Sequence, residues 1–337
     1  DNYGYRSGLN ASMVRHLHSK VERILAIASL TPGDLIIDIG SNDSTTLQAY
    51  PPGKYTLVGI DPTGIKFSQY YPLHIELIAD FFSLDGFRAQ FGERKAKVVS
   101  SFSMFYDLDS PLDFMRDIRD ILHPEGVWVF EQSYMPTMLE RNAYDTVCHE
   151  HLEYYGLKQI KWMADKVGLR IVDVEFNDVN GGSFSVVAAH AGSSYPIYAT
   201  LDELLEQEYL SGLDTLEPYM AFAERVEKNR HDLVSFLQNA QTEGKLVCAL
   251  GASTKGNVLL QYCGVTENEI SLVGEVNPDK FNCYTPGTLL PIIPEDAVLD
   301  LHPDYLIVLP WHFREFFTSY SKLKNFALVF PLPEIEI

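Results

Sequence analysis

The chain has 337 residues, 46% hydrophobic and 21% charged, a globular balance with room for two domains. Its formal net charge of −20 excludes a surface built to neutralise nucleic-acid phosphates, while leaving room for a local basic pocket. No apolar run approaches the ~20 residues of a membrane span, and the first residues carry no basic-then-apolar leader. Cys148, Cys248, Cys263 and Cys283 lack CxxC spacing, which argues against a zinc site or a disulfide framework. The expectation is a cytoplasmic protein without a metal, whose partners include neither nucleic acid nor membrane.

In chain order, periodicity predicts a helix over 11–28, strands over 35–39, 56–60 and 97–101, a helix over 111–122 and a strand over 127–130. A helix over 157–167 stops at Gly168, and strands over 170–175 and 183–189 follow. Such alternation signals a parallel sheet covered by helices. Residues 199–242 read as a long charged helical connector. A second βαβ unit then opens with a strand over 246–250, a helix over 256–263, and strands near 270–273 and 305–309. The chain is thus α/β, with an N-terminal helical segment over 1–30, a Rossmann-like domain over 31–195, and the connector plus a second Rossmann-like domain over 196–337.

Leu35-Ile-Ile-Asp-Ile-Gly-Ser-Asn-Asp-Ser-Thr-Thr-Leu47 is a buried strand running into a turn of small residues, where a backbone can approach a ligand closely. The next strand ends in Asp61, placed to accept from both ribose hydroxyls of a nucleoside. A dinucleotide would call for Gly-x-Gly-x-x-Gly, but Gly40 stands alone before Ser41, Asn42 and Asp43, and a carboxylate repels a pyrophosphate. S-adenosylmethionine carries an ammonium and a sulfonium, which Asp38 and Asp43 suit. Asp80, Phe81 and Phe82 would meet its adenine, and Ser101 and Ser103 its reactive end. The ordered set favours S-adenosylmethionine and a class I methyltransferase domain.

Tyr144-Asp-Thr-Val-Cys-His149-Glu150-His151-Leu-Glu-Tyr154 concentrates titratable groups before a helix. A metal site lacks a third ligand at helical spacing, and a plain solvated turn would be unusually rich. General-base chemistry fits best, because imidazole titrates near neutrality and a carboxylate beside it steadies the imidazolium. Tyr144 or Tyr154 would donate to a developing oxyanion.

Leu246-Val-Cys-Ala-Leu-Gly251-Ala-Ser-Thr-Lys255-Gly256-Asn257 repeats the strand, small-residue loop and helix, with Ser253 and Lys255 at the helix start. Amides there attract phosphate, and Lys255 adds a positive charge. Glu275 ends the following strand, where a ribose-binding carboxylate belongs. The loop reads as a nucleoside diphosphate site, with a simple tight turn as the alternative. Asn277, Tyr284, Trp311, His312 and Arg314 occupy later loops of the same crevice, Trp311 either stacking on a base or packing at the rim. Asn180-Gly-Gly-Ser183 would close over the same ligand.

Taken together, Tyr3-Gly-Tyr-Arg-Ser-Gly8, Asp38-Ile-Gly-Ser-Asn-Asp43, Tyr144 to His151, Asn180-Gly-Gly-Ser183 and Gly251 to Asn257 resemble the sugar C-methyltransferases acting on nucleotide-linked keto-deoxyhexoses. The resemblance implies S-adenosylmethionine as cofactor, a C-terminal domain that binds the nucleotide sugar, His151 as base with Glu150 beside it, and Tyr5 near the substrate. The expected reaction is removal of a proton beside a ketone by His151, with a tyrosine or His149 steadying the enolate before it takes the methyl group. The family usually carries an N-terminal zinc domain, and this sequence begins beyond where that would end. Ser44 replaces a usual glycine, Cys148 a tyrosine, and Phe105-Tyr-Asp-Leu108 a more polar segment. O- or N-methylation of a metabolite is the nearer alternative, and an NAD-dependent oxidoreductase or a binding protein the more distant one.

Overall fold

The apolar runs at 35–39 and 56–60 form strands β1 (Leu35–Ile39) and β2 (Thr56–Ile60), buried almost throughout, as strands covered on both faces must be. The computed structural model describes residues 5–337, so Tyr3 and Gly4 of the N-terminal motif lie outside the described residues. With β3 (Ile75–Ile78), β4 (Ala96–Phe102), β5 (Leu122–Ser133), β6 (Leu169–Asn177) and β7 (Ser183–His190) they build a seven-stranded sheet. Its order is β3-β2-β1-β4-β5-β7-β6. The first five strands are parallel, and β7 runs antiparallel between β5 and β6.

Alternate residues of β5 serve opposite faces: Trp128 and Phe130 meet the helices Pro111–Ile121 and Leu157–Val167, while Val127 and Val129 share the other core with the N-terminal helix Ala11–Ile27. That helix also carries Lys20, 2% exposed, which ion-pairs with Glu131 (2.8 Å) and Glu175 (3.0 Å). His16 Nε2 lies 2.6 Å from the other oxygen of Glu131. A buried carboxylate needs such partners to stay ionised.

The second sheet holds β8 (Val247–Leu250), β9 (Val273–Glu275), β10 (Ile292–Pro294), β11 (Tyr305–Val308) and β12 (Leu328–Val329). All its pairs are parallel, in the order β10-β9-β8-β11-β12. Both sheets therefore place their first strand beside their fourth, the switch point at which open α/β sheets take ligands.

The division between the units departs from the expected boundary at 195/196. Unit 1 comprises residues up to Tyr134, Leu152–Asn177 and Ser183–Glu208; unit 2 comprises Met135–His151, Asp178–Gly182 and Tyr209–Ile337. Two contacts explain the reassigned segment after β5. Tyr144 donates to Asn229 Oδ1 at 3.0 Å, and Trp311 Nε1 donates to Asp145 Oδ2 at 2.8 Å, all four within unit 2. The connector is also two helices, Leu201–Leu210 and Glu217–Thr242, separated by Gly212 at φ 74° and restarted with Pro218. The first of them joins unit 1 through Glu208, which accepts from Leu157 N (2.5 Å), Lys158 N (2.9 Å) and Tyr134 Oη (2.7 Å). A carboxylate at that helix N-terminus satisfies amides that have no partner inside the helix. Among the described residues no helix is long and apolar enough to cross a membrane.

Candidate functional site

In unit 1 the chain leaves β1 through Gly40 at φ 73°, whose N–H reaches Ile60 O at 2.8 Å, so the turn folds onto the end of β2. Asp61 Oδ2 accepts from Asn42 N at 2.8 Å, while Oδ1 accepts from Thr63 N (2.7 Å) and Thr63 Oγ1 (2.5 Å). With three of about four acceptor positions used, Asp61 has room for one ribose hydroxyl rather than the two expected. Asp38 is buried, receives Ser100 Oγ at 2.6 Å, and has no cation beside it among the described residues; burial pushes its carboxyl up to about 7. A buried carboxyl lacking a counter-charge fits a cationic sulfonium or ammonium ligand.

The other expected cofactor residues are placed as follows. Asp43 turns to the N-terminal segment, accepting Gly8 N (2.9 Å) and Thr45 Oγ1 (2.5 Å) with Arg6 3.8 Å away, so it anchors that segment instead of facing a ligand ammonium. Asn42 does the same, accepting Ser7 N at 3.0 Å and donating to Tyr5 O at 3.1 Å. Tyr5 itself is exposed. Ser41 meets the Tyr71 hydroxyl at 2.8 Å. Asp80 and Phe81 are exposed past β3, whereas the half-buried Phe82 packs edge-on against Phe114 at 5.5 Å, at the margin of the core. Ser101 is fully buried and receives Trp128 Nε1 at 3.0 Å, so it braces the sheet and does not line a ligand; Ser103 is exposed. Sequence reasoning missed Tyr71 and Gly59. A Cβ on Gly59 would stand 2.6 Å from Ser41 Oγ.

Unit 2 repeats this turn. Gly251, at φ 84°, donates to Gly274 O at 2.8 Å, and Glu275 Oε2 accepts from Ala252 N at 3.0 Å. Ser253 caps the helix Thr254–Tyr262 by accepting Gly256 N at 3.0 Å. Gly256 has no room for a side chain, since a Cβ would lie 2.9 Å from Leu309. Lys280, within the Asn277-Pro-Asp-Lys segment, brings a cation to this loop: its Nζ donates to Ala252 O at 2.8 Å and lies 3.6 Å from Glu275. Asn277 caps the following turn by accepting Asp279 N at 3.1 Å.

Lys255 points elsewhere. Its Nζ donates to Asn180 O at 2.5 Å, and Asn180 is held in the left-handed region at φ 57°. The Lys255 charge acts on the fully buried Asp145 and on the partly buried His151 and His312. Burial, then Lys255, pushes His151 down to about 4 and His312 to about 3. Burial raises the Asp145 carboxyl, with Lys255 opposing, and burial lowers the Lys255 ammonium, with Asp145 opposing. Asp145 Oδ1, Asn257 Oδ1 and His312 Nδ1 are buried without a hydrogen bond. Unspent polar groups in the interior mark a place prepared for a polar guest.

Several expected roles are corrected here. His149 (side chain 83% exposed) and Glu150 (43%) face solvent 4.0 Å from each other, so neither is placed as the enolate donor or as the carboxylate orienting His151. Tyr144 is buried against Asn229 and is no oxyanion donor. Trp311 is buried with its indole against Gly181, which settles it as packing and not a base platform. Arg314 ion-pairs with Glu336 at 2.6 Å and lies over Phe330, so its guanidinium is engaged within the C-terminal segment. Ser183 is buried at the start of β7 in unit 1, and Tyr284 is exposed.

Residues 10–174 match the methyltransferase-domain family, and residues 178–333 match the C-methyltransferase C-terminal domain family. The chain is therefore an S-adenosylmethionine-dependent methyltransferase with an α/β fold. Its second match sets it among the C-methyltransferases. Among curated proteins it is similar to the C-methyltransferase NovU of Streptomyces niveus, 28% identical over 341 residues that cover 98% of this chain and 80% of that protein. Solved structures with a likeness include a methyltransferase complexed with the Haloferax volcanii Trm112 activator, at 16% identity, TM-score 0.43, covering 52% of this chain and 90% of that one. The CcbJ methyltransferase of Streptomyces caelestis stands at 14% identity, TM-score 0.40, covering 52% and 90%.

Proposed function

We propose that this C-methyltransferase acts on a nucleotide-linked keto sugar, with His151 removing the proton beside the carbonyl. Unit 1 holds the cofactor through Asp38, Asp61 and the Gly40 turn. S-adenosylmethionine supplies an electrophilic methyl group there. In unit 2 the Gly251 turn, with Lys280 beside it, receives the nucleoside diphosphate. The observation that carries the reading is that His151 shares unit 2 with this loop, in a unit that buries polar atoms of Asp145, Asn257 and His312 without a hydrogen bond. An imidazole held well below its ordinary range is neutral at physiological pH, the form in which a base acts, and its weak proton affinity calls for stabilisation of the anion it creates. The α-proton of a ketone is acidic enough to be taken because its electron pair can be parked on the carbonyl oxygen.

The test uses a thymidine diphosphate-linked 4-keto-6-deoxyhexose deuterated beside the ketone. Wild-type protein should give a methylated product that has lost the label. His151→Asn should abolish turnover while S-adenosylhomocysteine binds as before. Methylated product that keeps its deuterium would move the reaction to an oxygen or nitrogen. Collapse of homocysteine-compound binding in the variant would make His151 structural.

A further inference from the structure

The two lysines of unit 2 divide the work that a single lysine was expected to do. At the nucleotide loop, Ala252 N is already spent on Glu275, Gly256 N on Ser253, and Asn257 N on Ser253 O. The cation that reaches this loop is Lys280. Lys255 begins in the same helix, yet its ammonium is carried to the Asn180 carbonyl, from where its charge acts on His151, His312 and Asp145. One of its three N–H groups has a protein acceptor, and two have none among the described residues. Backbone on one side, through a 2.5 Å bond, fixes where the remaining two donors sit.

We infer that Lys255 is a catalytic residue whose ammonium binds the ketone oxygen of the sugar and holds the negative charge that develops there as His151 takes the proton. The inference rests on the proposed C-methylation of a keto sugar. In the step, the C–H bond breaks and its proton passes to the neutral imidazole. The electron pair becomes the carbon–carbon double bond, and the carbonyl π pair moves to oxygen. A neutral ketone and imidazole thus become an enolate and an imidazolium, with Lys255 beside the new anion. No charge is lost and no other reactant is needed.

This placement also answers a difficulty with the base. An imidazole so easily kept neutral is a poor proton acceptor, and Lys255 is one cause of that. The same cation stabilises the enolate, so what it takes from the base it returns to the product of the step. An ammonium already fixed in a site shielded from water needs little reorganisation as charge develops, and removing one such donor typically slows a reaction about 10²–10³-fold. Asp145 completes the set by opposing the loss of the Lys255 proton that burial favours. Without that carboxylate the residue would tend toward a neutral amine.

The experiment follows exchange of the proton beside the ketone in D2O, with S-adenosylhomocysteine present so that no methyl group moves. Wild type, Lys255→Met, Lys255→Arg, Lys280→Met and His151→Asn are each given the thymidine diphosphate-linked 4-keto-6-deoxyhexose. Thymidine diphosphate affinity is measured separately, and stabilisation by S-adenosylhomocysteine checks that every variant is folded. Lys255→Met should slow exchange about 10²–10³-fold with thymidine diphosphate affinity within about threefold of wild type, and Lys255→Arg should recover part of the rate. Lys280→Met should do the reverse, weakening the diphosphate and sparing exchange at saturation. Exchange retained in Lys255→Met, with diphosphate affinity down tenfold or more, would overturn the inference and make Lys255 a phosphate ligand. If exchange is lost in His151→Asn but not in Lys255→Met, only the Lys255 assignment fails. If wild type exchanges nothing, or exchange survives in His151→Asn, the keto-sugar reading itself fails and takes the inference with it.

Discussion

With Asp38 proposed as the counter-charge of the cofactor, cofactor binding should be coupled to the release of a proton. Its carboxyl is 2% exposed, and burial outweighs the Ser100 hydrogen bond to raise it from 3.8 to about 7. At pH 6, one unit below that value, about ten molecules in eleven of the ligand-free protein hold the proton. A ligand ammonium or sulfonium set against this carboxyl favours the ionised form, so binding must expel the proton. Affinity for S-adenosylhomocysteine should then rise nearly tenfold per pH unit from about pH 5 to about 7, and level off above. The same shift acts on stability. The folded value lies above the unfolded one, so the contribution is complete below 3.8 and is lost as pH rises through about 7. Its size is about three units at 1.36 kcal/mol each, or ~4 kcal/mol.

Calorimetric titration in buffers of differing ionisation enthalpy measures both the affinity and the proton released. Asp38→Asn should remove the release and flatten the pH dependence, and should bind more weakly at pH 8, where the wild-type carboxylate is charged. An affinity that stays constant between about pH 5.5 and 7.5 in wild type, without proton release, would refute the reasoning. Asp38 would then not be the counter-charge of the ligand.

Tyr144→Phe should lower stability by about 1–3 kcal/mol, because Asn229 loses a buried donor. Turnover per folded molecule should stay near wild type; a large loss of kcat at unchanged Tm would return the hydroxyl to the reacting centre. His312 is held at about 3, below its unfolded value of 6.5, so the unfolded chain binds protons first and stability falls as pH drops from about 6.5 toward 3. His312→Gln removes that slope, and comparing its urea midpoint with wild type at pH 7.5 and 5 isolates it from the opposite slope of Asp38. Equal pH dependence in the two proteins would count against a buried, neutral His312.

Much of the fold is written locally. Apolar runs entering glycine turns mark β1 and β8, and Gly168 at φ 79° ends the helix Leu157–Val167 where the sequence predicts. Other features depend on register or on distant chain. Asp38 meets Ser100 only because β1 and β4 pair in parallel with those two residues opposite. Asp145 is assigned to unit 2 by Trp311, 166 residues away. Nothing near residue 145 in the sequence announces that contact, so strand-by-strand reading assigns the segment to the preceding domain. Lys255 shows the same limit at finer scale. Its place in a loop–helix motif predicts a phosphate contact, while the direction of its side chain is set by the Asn180 carbonyl, 75 residues away.

The two units share one backbone device, and the proposed function gives it oppositely charged guests. In each, a glycine at positive φ ends the first strand, and a carboxylate ending the second accepts an N–H from the turn: Asp61 from Asn42, Glu275 from Ala252. The devices differ in the charge around them. Beside the unit 1 turn stand Asp38, Asp43 and Asp61, with Arg6 as the nearby cation, 3.8 Å from Asp43 and stacked on Tyr70. Beside the unit 2 turn, the longer Glu275 spends its second oxygen on Val276 N and Asn277 N, and Lys280 sits 3.6 Å from the first. The first turn is thus left with excess negative charge, the second near neutrality with a cation at hand. Since like charges in a confined site repel and opposite ones attract by several kcal/mol at ~4 Å, the side chains around the turn sort the ligands. A sulfonium suits the first and a diphosphate the second, although the turns themselves are built alike.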